Sequence, residues 1–247
     1  MKILYTKTKG ESYAHINKEK TPLVMVYISA DLGPAGTVKE DVTRSLICDL
    51  LLSGADKMSR EEFLDAVNGA GGSLGVRSHE GRLTVTIETI ESRLSKILTL
   101  TELMLTKPTL KAKEIARSKE TYKKQLRLEN EKARAMAQTH LVRLMYSSKD
   151  RHYKYTPDEE MLAVDDINQD EIKKLHQRFM ETNWTVTIGS NNTVAEKVKK
   201  TISRIHGESK ISVTEKVSSD IPVSNKLITT QISSQQNIEV AIGQRLF

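Results

Sequence analysis

Apolar residues recur in this chain with two periods, and the switches between them mark out its elements. Residues 23–30 (LVMVYISA) are a near-continuous apolar run, which predicts a central strand buried on both faces. Two shorter stretches before it, 2–6 (KILYT) and 12–16 (SYAHI), read as short strands. From Val38 the period lengthens. Val42, Leu46 and Leu50, with Ile47 and Leu51, lie three and four apart and form the apolar stripe of a helix that stops before Gly54. Ser59 and Glu62 make a capping box that opens a second helix to about Val67, and the glycines of NGAGG (68–72) end it. In 82–89 the period returns to two, with Leu83, Val85 and Ile87 on one face and Thr84, Thr86 and Glu88 on the other. Together with 73–79 this predicts a hairpin turning at Glu80-Gly81.

Helical spacing dominates beyond the hairpin. Leu94, Ile97, Leu98, Thr101 and Leu105 mark one helix, ended at Lys107-Pro108. A long helix runs from about Lys111 to Asn130 or beyond, and Ala135 to Tyr146 carries another. After a loop at 147–156, Pro157 opens a short helical turn and Asn168 caps a helix to Met180. A strand at 183–189 and an amphipathic helix from Thr193 to Ile205 follow. Residues 207–233 are rich in Ser, Thr and Lys without a period and read as a linker. Residues 237–243 (NIEVAIG) then read as a buried strand. The expected division is therefore a domain over 1–206, a linker over 207–233, and the first strand of a second, truncated domain in 234–247.

Composition narrows the classes. A chain of 247 residues can bury a sizeable core, and its single Cys48 excludes a disulfide framework and a four-thiolate zinc site. No apolar run reaches the roughly 18 residues of a membrane-spanning segment, and MKILYTKTKG carries no signal-peptide stretch. The net charge of +6 is concentrated: residues 111–134 hold nine Lys or Arg against four Glu. A basic helix can neutralise phosphates or meet an acidic partner or membrane surface. This one has Tyr122 as its only aromatic, against the interleaved rings of single-strand binders, and mixed charge is the mark of a solvated face. Nucleic acid is not the favoured partner.

The order of these pieces resembles one domain of the pitrilysin/insulinase-like metallopeptidases, the inverzincins, which include the mitochondrial processing peptidases. The matching text is LLLSGADKMSREEF (50–63), VNGAGGSLGVRSHEGRLTVTIETI (67–90), LMLTKPTL (103–110), DRHYKYTPDEEMLAVDDINQDEI (150–172) and NWTVTIGSN (183–191). The resemblance implies an α+β fold, a mixed and largely antiparallel sheet packed against several helices. Active members carry H-x-x-E-H on the first helix, two zinc ligands flanking a general base. Counting back from Gly54, those positions hold Ser45, Cys48 and Asp49. The family's third ligand, a Glu on the long helix, falls near Leu126 or Arg127, with Glu120 and Glu129 nearby but unanchored. Catalytic zinc needs three protein ligands. The expectation is no catalytic residue, no metal and no zinc cofactor.

Peptide binding is what the resemblance leaves standing. In the family a substrate segment adds as a strand along the edge strand after the Gly-Gly turn, which here is Ser73, Leu74, Gly75, Val76 and Arg77. An edge offers unpaired N–H and C=O groups, and Gly75 leaves room for another backbone. The alternative is a strand capped by its own neighbours. The implied partners are a peptide or unfolded polypeptide, and a second peptidase-like domain or a homologous active subunit. Degenerate subunits of this kind are common in bacteria, so a bacterial cytoplasm or periplasm is the implied setting. Among the histidines, His176 on an apolar helix face reads as a satisfied core residue, and His152-Tyr153 as a structural loop pair.

Overall fold

The computed structural model describes residues 3–7, 10–18, 21–206 and 240–241. Six strands form one sheet: β1 (Ile3–Lys7), β2 (Glu11–Asn17), β3 (Leu23–Asp31), β4 (Gly72–His79), β5 (Arg82–Ile90) and β6 (Trp184–Ser190). Their order is β1-β2-β6-β3-β5-β4, antiparallel throughout except for the parallel β2–β6 pair. Eight helices accompany it among the described residues: α1 (Val38–Leu50), α2 (Arg60–Gly69), α3 (Leu94–Thr106), α4 (Ala112–Asn130), α5 (Ala133–Met145), α6 (Pro157–Val164), α7 (Gln169–Glu181) and α8 (Asn192–His206). This is the mixed, largely antiparallel α+β architecture expected. The linker assigned to 207–233 lies outside the described residues. So does the strand at 237–243, except Val240 and Ala241, which belong to no element.

One expectation needs correction. β3 is central, flanked by β5 and β6, but it is not buried on both faces. Val24, Val26, Ile28 and Ala30 are buried, whereas Leu23 and Tyr27 are exposed and Met25 and Ser29 half-buried. The run of apolar letters hid an alternation, because Leu23, Met25, Tyr27 and Ser29 occupy an open face without demanding burial. Register carries that face across the sheet: Tyr27 pairs with Thr86 and Thr187, and Ser29 with Thr84 and Thr185. The opposite face, with Val85, Ile87, Val186 and Ile188, is covered by α1, α2, α3 and α8. Each fully buried Val, Leu or Ile there stabilises by about 1.5–3 kcal/mol.

Local chemistry sets the element ends. Ser59, Thr156 and Asn168 each accept a hydrogen bond from the backbone three residues on, and Glu62, Glu159 and Glu171 return it, completing three capping boxes. Glu80 and Gly81 turn the β4–β5 hairpin with φ of 47° and 76°, the two positive values a two-residue turn of this hand requires. After α1 the chain reverses at Gly54, φ 123°, where a Cβ would stand 2.6 Å from the Met58 carbonyl oxygen. At the far end of the domain His206 is buried against Trp184, ring centroids 4.1 Å apart. Its Nε2 lies 2.9 Å from the Thr182 carbonyl oxygen and its Nδ1 3.2 Å from Glu11. These contacts tie the last turn of α8 to β2 and β6.

Candidate functional site around the first helix and the edge strand

α1 starts at Thr37, whose hydroxyl accepts the Glu40 N–H at 3.1 Å. The Val42–Leu46–Ile47–Leu50 stripe is buried in the core. A second stripe, Asp41, Ser45 and Cys48, recurs at spacings of four and three and faces two adjoining cavities. The first, about 660 Å³, lies between Ser45 and Cys48 of α1, Tyr122 and Gln125 of α4, and Arg77, Ser78 and His79 of β4. It reaches the open sheet face at Tyr27, Thr84 and Thr86. The second, about 550 Å³, shares Ser45, Ser78, His79 and Tyr122 and adds Asp41, Glu129 and Glu160 among others. The vacated helix positions and the end of β4 therefore border one space.

The three positions counted back from Gly54 do not act together. Ser45 hydrogen-bonds Tyr122. The Cys48 thiol donates to the Arg44 carbonyl oxygen at 3.1 Å, and burial pushes its pKa up to about 12. It is a thiol at neutral pH, without the thiolate character that metal binding or nucleophilic attack needs. Asp49 accepts from Arg60 at 2.9 Å and from Arg117 at 2.8 Å, tying α1 to α2 and α4. Neither Leu126 nor Arg127, near which the family's third ligand is expected, lines either cavity, while the adjacent Gln125 does. Leu126 is buried in the core and Arg127 is exposed. α4 presents Tyr122 and Gln125 to the cavity, Glu129 lines the neighbouring cleft, and Glu120 is 64% exposed beside Lys123. A hydroxyl, a protonated thiol and a carboxylate already held by two guanidinium groups do not fit catalytic zinc. Among the described residues no group of three His, Cys, Asp or Glu is placed to hold a metal ion.

Sequence reasoning missed the polar cluster beside Ser45. The Tyr122 hydroxyl donates to the Glu160 carboxylate, joining α4 to α6. Burial raises the Glu160 pKa to about 7 despite that hydrogen bond, and the carboxylates of Asp41, Glu129 and Glu159 push the same way. Burial also raises the Asp41 pKa, against the opposing Arg44 charge. Nothing local announces this cluster, because Asp41, Tyr122 and Glu160 come from three helices. Arg44 was missed as well. It is 2% exposed, and donates to the Gly33 carbonyl oxygen at 2.7 Å and to Glu40 at 2.5 Å, holding the loop after β3.

β4 carries all five residues expected to meet a peptide and stands at the sheet edge, paired among the described residues with β5 alone. His79 and Arg82 close the two-residue turn, so Ser73, Gly75 and Arg77 direct their N–H and C=O groups at β5. Leu74, Val76 and Ser78 direct theirs away from the sheet. Near the turn the Ser78 backbone N–H meets the Cys48 thiol. Leu74 and Val76 turn their side chains to the helices, while Ser73 and Arg77 are exposed. A Cβ on Gly75 would meet only Thr86, at 3.9 Å. The tight glycine is Gly72, where a Cβ would lie 2.8 Å from both the Glu88 carbonyl oxygen and Ile97.

The remaining histidines have structural partners. His176 Nε2 lies 2.9 Å from the Leu105 carbonyl oxygen, and burial lowers its pKa. His152 stacks on Tyr146 and bonds Asp150 at 2.8 Å, and Glu80 lies between His152 and His79 at 3.8 and 3.5 Å. The basic stretch at 111–134 is broken between α4 and α5, and part of its charge is engaged internally. Arg117 pairs with Asp49 and Glu114, Lys123 with Asp165, and Lys119 donates to the Asp165 carbonyl oxygen.

A six-stranded sheet with one helix-covered face, and a capped helix pair leading into an edge hairpin, is the architecture of an M16-type, insulinase-like peptidase domain. The chain is similar in structure to the peptidase M16 inactive domain from Pseudomonas fluorescens (TM-score 0.74, 13% identity, covering 88% of this chain and 53% of that one). It is similar also to a protease from Helicobacter pylori (TM-score 0.70, 19% identity, 87% and 52%). A third is the periplasmic protease PqqL from Escherichia coli (TM-score 0.70, 10% identity, 87% and 25%). The chain thus spans about half the length of the first two. No family model and no curated protein matches its sequence. No helix of the described residues is long and apolar enough to cross a membrane.

Proposed function

We propose that this chain is a non-catalytic peptidase-like domain that holds a peptide or unfolded polypeptide as an added strand along β4. It would work within a larger assembly, beside a second peptidase-like domain or an active H-x-x-E-H subunit. One observation carries the reading: among the described residues β4 pairs with β5 alone, and its end at 77–79 borders the same cavity as the vacated positions Ser45 and Cys48. Earlier along the strand, Leu74 and Val76 offer two N–H and two C=O groups on the side away from β5, and each hydrogen bond made there contributes about 0.5–1.5 kcal/mol. Ser73, Gly75 and Arg77 keep the open-face side of the strand low, apart from one long cation.

The same reading includes the absence of catalytic zinc. Elemental analysis of the purified protein is expected to find no stoichiometric zinc, and peptide hydrolysis to stay at background. Zinc held by Ser45, Cys48 and Asp49 would overturn it. Strand addition is tested with extended peptides N-methylated at alternate residues. Methylation on the β4-facing set is expected to abolish binding and on the other set to spare it. Equal tolerance of both sets refutes strand pairing. The basic stretch of α4 is the competing site for an acidic partner, and Arg117, Lys119 and Lys123 being engaged internally argues for a scaffold role instead. Retention of DNA, RNA or anionic lipid at low salt, lost steeply as salt rises, would favour that second reading.

A further inference from the structure

We infer that the strand received by β4 carries an acidic side chain opposite Arg77, so that the ligand is an acidic extended peptide; this rests on the reading of β4 as a docking edge. Directly opposed residues of paired strands share a face and lie within side-chain reach. Arg77 is exposed on the open face and, among the described residues, has no ion-pair partner. The two basic side chains beside it are engaged: Arg82 lies 3.6 Å from Asp31, and His79 3.5 Å from Glu80. The cavity under Arg77 is lined by Thr84, Thr86, Tyr27 and Gln125 and contains no carboxylate. Those groups can hydrogen-bond an incoming carboxylate without repelling it. Of the open face's carboxylates, Asp31 is paired with Arg82 and Arg151, and Glu88 stands across from Ser73, four residues along β4 from Arg77. Asp49, on the helix side, is already neutralised by Arg60 and Arg117. An acid opposite Arg77 therefore meets a free guanidinium, whereas a lysine there meets a like charge.

Fluorescence anisotropy with labelled nine-residue peptides of alternating Thr and Val tests this, one central position being Glu, Gln or Lys. On the unsubstituted chain the Glu peptide is expected to bind about two- to fivefold tighter than the Gln peptide, and the Lys peptide more weakly than either. Arg77→Gln should erase the difference and Arg77→Glu reverse it, while the Gln peptide binds all three proteins alike. Arg77 is a surface residue, so both variants keep the core. Equal binding of the Glu and Gln peptides to the unsubstituted chain, or a Glu preference surviving Arg77→Gln, overturns the inference and leaves strand addition intact. Failure of every peptide to bind overturns strand addition itself, and this inference with it.

Discussion

Glu160→Gln isolates the cost of burying one carboxylate between α4 and α6. In the fold its pKa rises from 4.5 to about 7, with burial as the main cause. A carboxyl with a raised folded-state pKa binds more protons folded than unfolded between those two values, so stability falls as pH climbs through that window. The acid form is uncharged and costs little below pH 4.5, and the ionised form carries the full penalty above pH 7. Converted at 1.36 kcal/mol per pH unit, the rise amounts to about 3 kcal/mol. Gln is isosteric, stays neutral, and keeps a carbonyl oxygen to accept the Tyr122 hydroxyl. The variant should match the parent in urea titrations at pH 4.5 and exceed it by about 2–3 kcal/mol at pH 8. In thermal melts that difference corresponds to a Tm roughly 4–12 °C higher at pH 8. A variant equally or less stable than the parent at both pH values would refute the argument. Glu160 would then be ionised in the fold, favoured by its hydrogen bond over its burial.

Three further outcomes follow from the same geometry. Gly54→Ala should cost several kcal/mol in denaturant titrations, because φ 123° and the 2.6 Å approach to the Met58 carbonyl oxygen leave a methyl group no place. Asp49→Ala should cost only about 1 kcal/mol, since its bonds to Arg60 and Arg117 are about a third exposed; a stoichiometric loss of bound metal in this variant would contradict the assigned role. Cys48 should resist iodoacetamide at pH 7.5 in the native protein and react fully in denaturant, as its thiol is held protonated up to about pH 12; rapid native alkylation measured by mass spectrometry would contradict that.

Much of the fold was legible along the chain because its cues are local. A capping box involves residues three apart, so Ser59 with Glu62 marked the start of α2, and Asn168 that of α7. The Glu80-Gly81 turn and the Leu83–Val85–Ile87 alternation likewise gave β4, β5 and their register without any distant contact. Counting back from Gly54 placed Ser45, Cys48 and Asp49 on one face of α1, since H-x-x-E-H spacing is a property of one helix turn. The position on α4 that faces them was less sharply defined: Leu126 and Arg127 do not line the cavity, whereas the adjacent Gln125 and Tyr122 do. Spacing over some seventy residues does not determine how two helices are rotated against each other, and packing put Leu126 in the core and Tyr122 in the cavity.

Among the described residues, sequence alone determined most of the helices and strands and several of their caps, and that the first helix carries no H-x-x-E-H. Tertiary structure decided that β4 stands at the edge, that β3 has an open face, and that Asp49 is held by two arginines. It also brought Asp41, Tyr122 and Glu160 together from three helices. Periodicity records whether a side chain is covered, not what covers it. The guanidinium of Arg117 that pairs with Asp49 and the Tyr122 that bonds Glu160 lie tens of residues away, and only packing brings them within range.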